Sequence, residues 1–132
     1  MKEFFDAIKS NDLGEVSRLI IDAKDVAMFV NQVKHNGCGR TPLMIAAANS
    51  HAEVVQLLLD NGADVNQAES KGYTSLFIAS HNGHAAVVRL LLRAPGIKVN
   101  QAAMDGWTPL MIAAQNGHTE VAQLLLDHGV DV

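Results

Sequence analysis

The chain is poor in the residues that most often announce chemistry. Its 132 residues include one cysteine, Cys38, one tryptophan and one tyrosine, and aromatic residues make up only 5%. A lone cysteine forms no intrachain disulfide, and the sequence has no CxxC pair or Cys/His cluster to suggest a structural zinc or a redox couple. That usage fits a reducing compartment, so a cytoplasmic location is expected. Charge is also thin, with 10 Lys and Arg against 14 Asp and Glu, a net −4, and the cations are scattered. No basic stripe is left to follow a phosphate backbone, so nucleic acid is not an expected partner. The opening MKEFFDAIKSNDLGEV has acids and polar residues where a signal peptide needs an apolar stretch, and no later run is long enough to span a bilayer. A membrane partner is not expected either. Phosphate-cradling glycine loops, paired catalytic acids and a serine elbow are also missing, so the sequence predicts no cofactor, no metal and no enzymatic activity.

What is present is repetition. GRTPLMIAAANSHAEVVQLLL begins at Gly39, GYTSLFIASHNGHAAVVRLLL at Gly72 and GWTPLMIAAQNGHTEVAQLLL at Gly106. The glycines lie 33 (72 − 39) and 34 (106 − 72) residues apart, and the longer interval holds one extra residue in the loop Arg93-Ala94-Pro95-Gly96. A Val-Asn-Gln triplet precedes each glycine, at Asn31, Asn66 and Asn100, and the first of these implies an earlier, divergent copy. With 48% hydrophobic residues, the chain can bury one core of ordinary domain size.

Each unit can be read from its residues. Thr41 and Thr108 precede Pro42 and Pro109, an N-cap hydroxyl followed by proline at the first helical position, where a missing N–H costs nothing. The helix that follows is short and alanine-rich. Asn82-Gly83 and Asn116-Gly117 then supply a turn with positive φ, and a second helix returns antiparallel. Its apolar positions, such as Val54, Val55, Leu57, Leu58 and Leu59, form more than one stripe, so neighbours are needed on two sides. Gly62 and Gly129 stand where a left-handed C-terminal cap is expected.

The pattern GxTPLxxAAxxGHxEVxxLLLxxGADVN resembles that of the ankyrin repeat family over Gly39 to Val132, and several long-range spacings coincide three times. The resemblance implies a mainly α fold, an α-solenoid of antiparallel helix pairs joined by projecting hairpin-like loops. It predicts a single ankyrin-repeat domain over 1–132, divided into an N-terminal capping repeat over 1–37, repeats over 38–70 and 71–104, and a last repeat over 105–132. Departures from the family pattern are Met44, Phe77 and Met111 in place of a histidine, Ser75 in place of a proline and Ser50 in place of a turn glycine. Weakened helix starts are expected there, not another fold. In the first repeat Asp12 and Glu15 look like a capping box, and Ala23 to Phe29 either extends the second helix or adds a turn. The leucine-rich end at Val132 lacks the polar outward face of a terminal cap, so either a longer chain or a cover over that end is expected.

Family resemblance also implies the function: a scaffold that binds a partner protein through hairpin tips and the exposed side of the first helices. Arg40, Tyr73 and Trp107 follow the three repeat glycines, so stacking aligns them, and these residue types are enriched among binding hot spots. The bland alternative is that these residues only cover the hairpin base. Gly37, Cys38, Ser70, Lys71, Met104 and Asp105 are the flanking tip positions. Ala48, Asn49, His81, Asn82, Gln115 and Asn116 are the exposed first-helix ends, the asparagines being turn formers as well. His51, His84 and His118 each open a second helix, too far apart to share a metal, and are expected to make hydrogen bonds that fix the turn between the two helices. Two further readings stand beside the scaffold. One is the targeting module of a larger enzyme or of a secreted bacterial effector acting in a host cytosol. The other is self-association through the uncapped C-terminal repeat.

Overall fold

A computed structural model describes residues 2–34 and 39–129; Gly37 and Cys38 lie outside the described residues. Among these residues there are nine helices: α1 (Lys2–Lys9), α2 (Leu13–Ile21), α3 (Val26–Val30), α4 (Pro42–Ala48), α5 (Ala52–Asp60), α6 (Ser75–Asn82), α7 (Ala85–Leu92), α8 (Pro109–Gln115) and α9 (Thr119–Asp127). They form two layers of an α-solenoid. The inner helices α1, α4, α6 and α8 pack in that order, and the outer helices α2, α5, α7 and α9 do the same.

The threonines start the inner helices as expected. Thr41, Thr74 and Thr108 each accept a hydrogen bond at Oγ1 from the backbone N–H three residues on, at 3.3, 3.2 and 3.3 Å. Ser75 in place of proline leaves the Thr74 cap intact, and α6 begins directly after it. At the first turn–helix junction the capping box is only half made. Asp12 Oδ1 accepts from Glu15 N–H at 3.1 Å, but the Glu15 carboxylate turns to Arg18 instead of reaching back. That hydrogen bond with Arg18 lowers the Glu15 pKa. The stretch after Ile21 does not prolong α2. It breaks and restarts as α3, capped by Asp25, whose Oδ1 accepts from Met28 N–H at 3.1 Å. Phe29 of α3 packs on Phe4 of α1 with ring centroids 4.3 Å apart.

Small residues let the inner helices approach. Ala46, Ala47, Ala79 and Ala113 are fully buried, while Val54, Val55, Leu58, Val87, Val88, Leu91, Val121 and Leu125 fill the space between layers. Burying each such leucine contributes about 1.5–3 kcal/mol. Two ladders of polar contacts fix the stacking. His51, His84 and His118 donate from Nε2–H to the carbonyls of Lys9, Ala48 and His81, at 2.9, 3.0 and 2.9 Å. Each bond therefore reaches back to the end of the preceding inner helix and satisfies a carbonyl that helix leaves open, so it joins neighbouring repeats. The sequence predicts instead a bond that fixes the turn between the two helices of one repeat. The loops carry the second ladder: Asn31 donates to Gly62 O and accepts from Asp64 N–H, and Asn66 donates to Gly96 O and accepts from Lys98 N–H.

Turn chemistry follows the repeats with one exception. Gly83 and Gly117 have φ of 75° and 74°, and Ser50, at the equivalent place, adopts φ 58° with a Cβ.

Candidate functional site

The residue after each repeat glycine is held by its own hairpin. Arg40 O accepts from Lys34 N–H at 2.9 Å, Tyr73 O from Glu69 N–H at 3.0 Å and Trp107 O from Ala103 N–H at 2.8 Å. Side chains reinforce two of these loops. Glu69 is buried and its Oε1 accepts from Lys71 N–H at 2.7 Å and Tyr73 N–H at 3.1 Å, while Asp105 Oδ1 accepts from Trp107 N–H at 3.2 Å. The hairpins nest directly on each other. Met104 N–H donates to Lys71 O at 3.0 Å, and a Cβ on Gly72 would stand 2.9 Å from Met104 N, so that position accepts only glycine.

Below the hairpins lies a small apolar cluster of Phe77, Ala103 and Ile112, with Tyr73 and Trp107 packed against it. Tyr73 stacks on Phe77 with centroids 4.5 Å apart and planes 5° apart. The aromatic row thus does cover the hairpin base. It also forms the wall of an open hollow of about 430 Å³, lined by Arg40, Tyr73, Phe77, Ile78, His81, Asn82, Asp105, Trp107, Ile112 and Gln115. Seven residues singled out in the sequence therefore meet in one place: Arg40, Tyr73, His81, Asn82, Asp105, Trp107 and Gln115. Tyr73, Trp107 and Arg40 are half-buried, so each keeps a face for contact.

The other named positions lie elsewhere. Ser70, Lys71 and Met104 are exposed at the hairpin tips beyond the hollow. Ala48 is half-buried and its carbonyl is taken by His84. Asn49 donates its amide to Ile45 O at 2.8 Å and Asn116 to His81 O at 3.1 Å, so both side chains serve the helix ends. The floor residues Phe77, Ile78 and Ile112 are not among the predicted binding residues, because in sequence they are core positions of a short helix. Glu69 was missed for another reason: its counterpart one repeat on is Ala103, and the repeat gives no signal there.

Among the described residues no group of three or more His, Cys, Asp or Glu side chains is placed to hold a metal ion. No helix among them is long and apolar enough to cross a membrane.

The fold and the hollow define a class: a stacked helix-pair solenoid with a recessed surface built from successive loops and inner helices. Family models for ankyrin repeats match residues 4–103 in three copies and residues 105–132 in one more. The chain belongs to the ankyrin-repeat family, whose repeats are typically non-catalytic modules that mediate protein–protein interaction. It is similar to the mitochondrial disaggregase of Homo sapiens, 44% identical over 61 residues, which is 46% of this chain and 8% of that protein. A probable E3 ubiquitin-protein ligase of Oryza sativa subsp. japonica is 43% identical over 68 residues, 52% of this chain and 13% of that protein. A putative ankyrin repeat protein of Fowlpox virus is 35% identical over 69 residues, 52% of this chain and 10% of that protein. The chain thus spans only a small part of the length of these relatives.

Proposed function

We propose that this chain is a non-catalytic scaffold that binds a partner protein in the hollow between its hairpins and inner helices. One observation carries the reading: Arg40, Tyr73 and Trp107, from three successive repeats, border a single hollow above the apolar floor of Phe77, Ile78 and Ile112. Aromatic and arginine side chains around a dry centre are the usual composition of binding hot spots. The stacked Tyr73–Phe77 pair holds its wall in a fixed conformation, so little side-chain entropy is lost when a partner arrives.

Affinity capture from source-cell lysate, comparing the wild-type chain with the Tyr73→Ala, Trp107→Ala double variant, tests this directly. A partner retained by the wild type and lost with the variant is expected. Purified with the chain, that partner should bind Trp107→Ala at least about 2 kcal/mol more weakly. Equal catches by both chains, with the variant's helical circular dichroism unchanged, would sink the proposal.

A second reading has its own observation. Met111 and Leu126, on the side of the last repeat where no neighbour packs among the described residues, are both exposed. Self-association through that face would show as a solution mass that rises with concentration and falls again in Met111→Lys. A constant monomer mass would exclude it.

A further inference from the structure

We infer, on the reading that the hollow is a binding site, that its occupant is a polyproline-II segment with a three-residue pattern: a carboxylate, an apolar side chain, then a cation. Spacing is the first argument. Arg40, Tyr73 and Trp107 come from successive repeats whose inner helices α4, α6 and α8 pack side by side. Packed helices lie about 8–10 Å apart. A β-strand rises about 3.3 Å per residue and alternates its faces, so same-face side chains recur at about 6.6 or 13 Å and miss that interval. Polyproline II rises about 3.1 Å with three residues per turn, so every third side chain returns to one face after about 9.3 Å. Unlike a strand, it presents one side chain to each repeat, and aromatic-lined grooves are the surfaces that take it.

Charge supplies the order. Among the described residues neither Arg40 nor Asp105 is in an ion pair. Arg40 belongs to the earliest of the three repeats in the hollow and Asp105 to the latest, with the apolar floor of Phe77, Ile78 and Ile112 between them. Asp105 accepts from Trp107 N–H with Oδ1, and among the described residues its other oxygen accepts no hydrogen bond. A carboxylate therefore belongs at the Arg40 end, an apolar side chain over the floor and an ammonium or guanidinium at the Asp105 end.

Trp107, the sole tryptophan of the chain, lines the hollow and reports on its occupancy by fluorescence. The probes are the synthetic peptide Glu-Pro-Pro-Leu-Pro-Pro-Lys and its reversed sequence, which cover both chain directions. Alongside them go the shortened Glu-Pro-Leu-Pro-Lys and a peptide with Lys in place of Glu. Saturable binding of one of the two long peptides is expected. The shortened peptide and the charge-swapped peptide should each bind at least about tenfold more weakly. Arg40→Glu should prefer the charge-swapped peptide, and because that exchange is read on wild-type chain too, a poorly folded variant does not decide the matter. No saturable signal from either long peptide, or equal binding by the shortened one, overturns the inference. Capture of a partner lost in the Trp107→Ala chain would still uphold the binding site itself in that event, which separates the two failures.

Discussion

The third and fourth helix pairs, α6/α7 and α8/α9, follow the same repeat pattern in similar local conformations, yet they live in different surroundings. Both begin at a threonine cap and turn at a glycine with φ near 75°. Phe77 is 4% exposed while its counterpart Met111 is 47%, and Leu92 is 9% exposed against 40% for Leu126. Local sequence therefore sets the conformation of a repeat, and the following repeat sets its burial. That is the behaviour of a one-dimensional stack, whose stability is the sum of units and of the interfaces between neighbours.

This contrast can be broken by matched substitutions. Phe77→Ala should cost about 3–5 kcal/mol, because it empties a packed site between two inner helices, whereas Met111→Ala should cost under about 1 kcal/mol. Urea denaturation measures both, and equal costs would mean that stacking is not what separates the two repeats. The glycines make a sharper pair. A Cβ at Gly83 would lie 2.6 Å from the His118 ring, while one at Gly117 meets nothing within 4 Å. Gly83→Ala is expected to cost about 3 kcal/mol, combining left-handed strain with overpacking, and Gly117→Ala only the strain, about 1 kcal/mol. The smallest effect has the opposite sign. Ser80 is fully buried and its hydroxyl has no hydrogen-bond partner, where the neighbouring repeats have Ala47 and Ala114. Ser80→Ala should stabilise the chain by about 1 kcal/mol, seen as a higher urea midpoint at unchanged slope. A loss of stability would show that the hydroxyl is satisfied in solution.

Much of this architecture could be read in advance, because threonine caps, turn glycines and the leucine positions act locally and recur at a fixed period. The partners of the histidines could not be read. Their acceptors are backbone carbonyls, which every residue carries, so the sequence marks the donor and is silent on which helix end receives it. In sequence, the path after Ile21 fits either a longer α2 or an added turn. Asp25 decides it by capping a separate helix, an event that no other repeat duplicates. In the hollow, the rim could be named because Arg40, Tyr73 and Trp107 follow the three repeat glycines and are residue types enriched among binding hot spots. The floor could not, since Phe77, Ile78 and Ile112 have the same apolar character as the true interior, and only the placement of the hairpins shows that they border open space.

The histidine rungs have a mechanical meaning. Each joins one second-helix start to the inner helix of the preceding repeat, so the rung from His118 to His81 fastens α8 and α9 to the pair before them, and the rung from His84 to Ala48 fastens that pair to the one before it. Load applied at the end of α9 would therefore release the described repeats as a row of stitches yields, one at a time, with α8 and α9 freed before strain reaches the rung at His84. Among the described repeats, the one that carries Trp107 would come apart first under such a load, while α1, α2 and α4 stayed folded behind it.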